Sequence, residues 1–113
     1  MKVEQRDILE VNFRLPDGTF KPHPVVVISS QAVHDLEPGL IGVMASSKDY
    51  EDEFCFELRD YMLTVPPKTK CIVKCHLISM ISEKDILGRF GKVKKDFFIP
   101  LMKHILSTTF VID

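Results

Sequence analysis

The run Val25-Val26-Val27-Ile28 restricts the fold of this chain more than any other segment. Four β-branched residues in succession lose side-chain freedom in a helix but pack well on a pleated surface, and the run is too short for a buried helix. It is expected to be a strand buried on both faces, bounded in front by Pro22 and Pro24. Such a strand needs sheet neighbours, and the chain offers several. Ile8, Val11 and Phe13 alternate with polar residues and give way to Leu15-Pro16-Asp17-Gly18-Thr19, a strand followed by a turn. Leu40 to Ala45, Phe54 to Leu58, Cys71 to Ile78 and Arg89 to Val93 read as further short strands.

The last third changes character. Ser82-Glu83-Lys84-Asp85 has the form of a capping box opening one short turn, with Gly88 placed to end it. Phe98, Leu101, Met102, Ile105 and Leu106 follow an i, i+3, i+4, i+7, i+8 spacing, an amphipathic helix stripe. Pro100 belongs in a first turn, which sets the expected helix start near Phe98 or Ile99. With no repeat, linker or low-complexity tract, residues 1–113 form one domain. The expected fold is mainly β: a small, strongly bent antiparallel barrel of five to seven strands with a C-terminal amphipathic helix.

A chain of 113 residues buries roughly two-thirds of its unfolded surface, enough for one core without metals or disulfides. Three cysteines cannot complete a disulfide framework, and the charged start Met1 to Asp7 leads into no signal-peptide core, so a reducing, cytoplasmic setting is expected. No apolar run approaches the ~18 to 20 residues of a membrane span. The formal net charge of −1 hides a gradient: residues 1–60 carry 6 Lys/Arg against 12 Asp/Glu (−6), and residues 61–113 carry 9 against 4 (+5). The basic stretch Lys68 to Lys95 has the look of a polyanion-binding face; the plainer reading is surface lysines paired with the acidic first part.

Among residues with chemistry, His23 stands between two prolines that fix its backbone ahead of the buried strand. His34 falls in an expected surface loop, and His104 in a solvated or helix-end position. Lys74 and His76 are two apart on a strand and share a face, suited to phosphate binding and proton transfer or simply exposed; Cys71 and Cys75 share the opposite face and read as core. That split disfavours a zinc site. Ser46 and Ser47 close the third strand, where hydroxyls ordinarily bond nearby backbone. Neither a nucleophile elbow nor a phosphate-binding glycine loop is present, so conventional hydrolase and nucleotide-cofactor chemistry drops out.

Taken in order, four segments resemble the MazF/PemK family of small toxins from bacterial toxin–antitoxin pairs. Gln5 to Phe13 is similar to its R-G-D-I-x-x-V-x-F strand, His23 to Ser29 to R-P-V-V-V-[IL]-S, Gly42 to Ser47 to the strand ending in T-[ST], and Ile86 to Val93 to L-G-x-x-x-G-x-[LV]. The resemblance implies an SH3-like barrel, a homodimer, a cognate antitoxin partner, and endoribonuclease activity on single-stranded RNA without metal or cofactor. Carried over residue by residue, the family's active-site arginine falls on His23, its catalytic threonine on Ser46, and the basic and acidic pair of some members on Lys74 and His76. Phe20, Lys21, Ser47, Arg89 and Lys92 are the expected RNA contacts, Phe20 by stacking or as a turn anchor. Arg6 stands where glycine is usual. Because His23 replaces an arginine, the alternative is an SH3-like binding module of the same fold that recognises RNA or protein without cleaving it.

Overall fold

The computed structural model describes residues 2–48 and 51–113; the sequence reads Lys48 to Glu53 as an acidic loop, and its Asp49 and Tyr50 lie outside the described residues. Strands β1 (Asp7–Arg14) and β2 (Phe20–Val27) form a hairpin, followed by a short helix α1 (Gln31–Leu36) and β3 (Gly39–Ser46). Next come β4 (Cys55–Leu58), the long β5 (Cys71–Ser82), β6 (Ile86–Lys92) and helix α2 (Lys95–Thr108). The hairpin turn forms where Gly18 adopts φ +88° and Asp17 Oδ1 accepts from the Thr19 N–H at 2.9 Å, an Asx arrangement that tightens the loop.

The six strands make one antiparallel sheet in the order β4-β5-β3-β2-β1-β6. Register shifts in the β1–β6 and β3–β5 ladders mark irregularities that bend it. The bend brings the two ends together: Leu63, just after β4, bridges Val93, just after β6, and the N–H groups of Thr64 and Lys94 donate to Lys92 O and Met62 O at 2.9 and 2.8 Å. The sheet thus closes as a small barrel.

One core cluster joins Ile8, Val26, Val43, Val73, Cys71 and Cys75 to Phe98, Leu101 and Ile105 of α2. The other face buries Leu9, Val11, Phe13, Val25, Val27, Leu40 and Met44. Val25, Val26 and Val27 are fully buried, two toward one cluster and one toward the other, as a strand covered on both faces requires. Each such side chain contributes about 1.5–3 kcal/mol on burial.

Five local expectations change. β2 begins at Phe20 and runs through both prolines; Pro22 and Pro24 pair with Asn12 and Glu10 of β1, while β3 joins only from Val25, so that stretch tolerates missing N–H groups. Helix α2 starts at Lys95, where Phe98 N already donates to Lys94 O; Phe98 packs into the core, Phe97 meets Tyr61 edge-on at 5.4 Å, and these contacts outweigh the bond Pro100 cannot make. Leu106 faces outward. Glu83–Asp85 is a single 3₁₀ turn without a side-chain cap, ending before Gly88, which lies in β6. His34 sits on α1, its Nε2 2.6 Å from Ser29 Oγ. Among the described residues no helix is long and apolar enough to cross a membrane.

Candidate active site on one sheet face

Strand alternation decides which side chains meet. On β5, Cys71, Val73 and Cys75 point into the α2-covered core, so Ile72, Lys74 and His76 point the other way. Burial pushes the Cys71 thiol up to about 11 and the Cys75 thiol up to about 12, consistent with packing and against metal binding. Among the described residues there is no group of three metal-ligating side chains.

His23 lies opposite Val11 on β1, two residues before β2 begins to pair with β3, and a hydrogen bond to the Ala45 backbone holds it beside the end of β3, next to Ser46. Ser46 in turn pairs with Ile72, which pairs with Glu57 of β4. One cross-strand row therefore runs from Ser46 to Glu57, with His23 beside its Ser46 end. Partial burial is the largest influence on His23 and pushes its imidazole below the ordinary 6.5; a hydrogen bond to the Ala45 backbone pulls upward, and the cations Lys21 and Lys48 push down again. His23 is thus held neutral near pH 7 beside two positive charges. Ser46 is buried, and its Oγ accepts from the Lys48 N–H at 3.1 Å. Lys21 and Phe20 are exposed at the start of β2, and Ser47 is exposed in the bend after β3.

Lys74 stands two residues along β5 from this row, on the same face, and is the surprise of the structure. Its side chain is only 1% exposed. Register places it directly opposite Cys55, to whose Sγ its Nζ donates at 3.2 Å, and Asp52 Oδ2 lies 3.9 Å away. Burial works to raise the Asp52 carboxyl, but hydrogen bonds from Cys55 and the Phe54 N–H and the charges of Lys74 and His76 together hold it below its ordinary value. His76 is exposed and its ring lies 4.6 Å from that of Phe54. His104 is half-buried on α2; its Nε2 lies 2.9 Å from Glu53 O and its ring rests on Phe56, so it ties the helix to the loop before β4 and is not the solvated residue expected.

Arg89 and Lys92 are not brought to this face. They lie on β6, three strands from β3, where Arg89 Nη2 donates to buried Asp7 at 2.8 Å and Lys92 Nζ to Glu4 at 3.1 Å. The basic stretch Lys68 to Lys95 is likewise dispersed. Lys68 and Lys70, with Arg59 and Tyr61, border an open groove of about 500 Å³ next to Glu57, at the end of the cross-strand row.

The residues missed in the sequence are Asp52, Cys55 and Lys48. Only Asp52 left a trace, as part of an acidic run three residues ahead of a strand cysteine.

This fold has counterparts. Over residues 4–107 the chain matches the family described as PemK-like, MazF-like toxin of type II toxin-antitoxin system. The chain belongs to this toxin family. No curated protein matches it in sequence. Among solved structures it is similar to MazF from Deinococcus radiodurans (TM-score 0.79, 10% identity, 98% of this chain and 99% of that one). It is also similar to Mycobacterium tuberculosis toxin MazF-mt6 (TM-score 0.75, 16% identity, 96% and 99%). A third, from Mycobacterial species, is an endoribonuclease in complex with its cognate antitoxin (TM-score 0.75, 8% identity, 99% of each chain).

The departure at Arg6 now has a physical meaning. Arg6 has φ +79°, the left-handed region where glycine is at ease, and its guanidinium donates to Val93 O at 3.0 Å. The backbone keeps the shape that glycine would allow, and the arginine adds a tie across the barrel closure.

Proposed function

We propose that the chain is the toxin of a type II toxin–antitoxin pair and cleaves single-stranded RNA by attack of the ribose 2′-hydroxyl on the adjacent phosphorus. The observation that carries this reading is the neutral His23 beside Ser46 on one face, flanked by Lys21 and Lys48. An imidazole below its ordinary pKa accepts a proton, which suits it to remove the one on the 2′-hydroxyl. The resulting oxygen attacks phosphorus and yields a 2′,3′-cyclic phosphate. The Ser46 hydroxyl and the two lysines meet the charge that gathers on the phosphoryl oxygens, with Lys74 adding positive potential from beneath the surface. His76, an exposed imidazole on the Lys74 face, returns a proton to the leaving 5′-oxygen.

Phe20 offers an exposed ring for a base, Ser47 an exposed hydroxyl, and the groove at Lys68 and Lys70 a basic continuation of the path. The antitoxin named with the mycobacterial relative makes an acidic, extended partner the natural competitor for that surface. Two copies in a homodimer are part of the same reading.

Purified protein should cut single-stranded RNA in the presence of EDTA, and His23→Ala should lower the rate by about 100-fold or more. Intact RNA at high protein concentration across varied sequences would refute the reading. One observation favours the binding-module alternative: the Lys74 ammonium is sealed from solvent and engaged with Cys55 and Asp52. That alternative predicts salt-dependent RNA binding without turnover in the same assay.

A further inference from the structure

The pairing of Lys74 with Cys55 has chemistry of its own, independent of RNA. Cross-strand register holds the two residues directly opposite each other, and the ammonium donates to the sulfur at 3.2 Å. The Cys55 thiol donates to Asp52 Oδ1 at 3.3 Å, whose other oxygen faces Nζ. Amine, sulfur and a proton-accepting carboxylate are thus gathered in one place. The other two thiols are excluded from it: Cys71 and Cys75 point to the opposite face of β5, are buried in the core, and burial disfavours their thiolates. Cys55, half-buried, is the cysteine open to a small oxidant. Cys75 also lies near Cys55, but its side chain points to the other face and burial disfavours its thiolate, whereas the Lys74 amine already touches the Cys55 sulfur and is the nucleophile at hand.

We propose that Cys55 and Lys74 form a peroxide-dependent covalent modification site, in which oxidised Cys55 is captured by the Lys74 amine. In the first step the Cys55 sulfur attacks one oxygen of hydrogen peroxide, the O–O bond breaks, water leaves, and a sulfenic acid remains. In the second, Nζ, having passed a proton by way of Asp52, attacks the sulfur; the S–O bond breaks, a second water leaves, and an S–N bond joins the residues. In sum, thiol, ammonium and one peroxide give the sulfenamide, two waters and one proton. Sulfur is oxidised and peroxide reduced. A thiol reductant attacks the S–N sulfur and restores both side chains.

The test uses the folded wild-type chain, treated with hydrogen peroxide, quenched, denatured and mapped with trypsin. The expected result is an intact mass lower by two hydrogen atoms, loss of tryptic cleavage after Lys74, and joined peptides containing Cys55 and Lys74. A thiol reductant should reverse all three. The link should persist when Cys71 and Cys75 are both replaced by Ala and disappear in Cys55→Ser. A Cys55 that gains one or more oxygens while trypsin still cuts after Lys74 would overturn the assignment. So would a mass loss that vanishes with Cys71 and Cys75, which marks a disulfide, or a chain that peroxide leaves unchanged. Because the readout on the wild-type chain decides the matter, a variant that fails to fold does not obscure it.

Discussion

Among the described residues two charged side chains are buried, and they are held in different ways. Asp7, fully buried on β1, meets the Arg89 guanidinium at 2.8 Å, accepts from the Glu4 N–H at 2.8 Å and has Lys92 within 3.9 Å. Lys74, equally buried on β5, donates to the Cys55 sulfur at 3.2 Å and has the Asp52 carboxylate 3.9 Å away. A short charge-assisted bond to a guanidinium returns much of what desolvation of a carboxylate costs. The first arrangement is a clamp between β1 and β6. The second sets a cation beneath a candidate active face, beside a thiol and a loop carboxylate.

Breaking the clamp should have the largest effect. Arg89→Ala leaves the buried Asp7 carboxylate with the Glu4 N–H and a cation 3.9 Å away, and the expected loss of stability is about 3 kcal/mol by chemical denaturation. If stability stays within the wild-type range while RNA binding collapses, Arg89 is a ligand contact and the contrast fails. Lys74→Met tests the other side. Asp52 keeps 36% of its side-chain surface in water, so stability should change by about 1 kcal/mol at most while RNA cleavage falls. A large loss of stability would make Lys74 a clamp like Asp7.

A smaller effect bears on the closure that the clamp supports. Arg6→Ala loses the bond to Val93 O and keeps the left-handed backbone, so Arg6→Gly should be more stable than Arg6→Ala by about 1 kcal/mol in the same denaturation series. Equal stabilities would mean the φ of +79° costs nothing. The smallest effect is the pH dependence from His23. Its folded pKa lies below the ordinary 6.5, so the folded state binds fewer protons than the unfolded one in the window beneath that value. The contribution is complete above pH 6.5 and is lost as pH falls through the folded pKa; His23→Gln should flatten that acid slope in thermal melts.

Much of this contrast was readable in the chain and part of it was not. The valine run and the parity of Cys71, Lys74, Cys75 and His76 fixed which residues share a face, because strand alternation is a local rule. The nearness of His23 to Ser46 follows from short neighbouring strands. The Arg89–Asp7 pair spans 82 residues, and nothing local to Arg89 distinguishes a clamp from an RNA contact. Asp52 reaches Lys74 from another strand's approach, so an acidic loop looked like a solvated one. Pro100 alone sets the start of α2 later than Lys95, because the packing of Phe97 and Phe98 that extends the helix is not a local property of the sequence.

The central claim is that neutral His23 removes the proton that starts RNA cleavage, and the pH dependence of kcat/KM on a single-stranded RNA tests it most directly. The account predicts an acid limb with its midpoint below 6.5 that disappears in the residual activity of His23→Gln, since this profile reports the essential base of the free protein. An unchanged limb in His23→Gln, or a wild-type midpoint above 6.5, would contradict it.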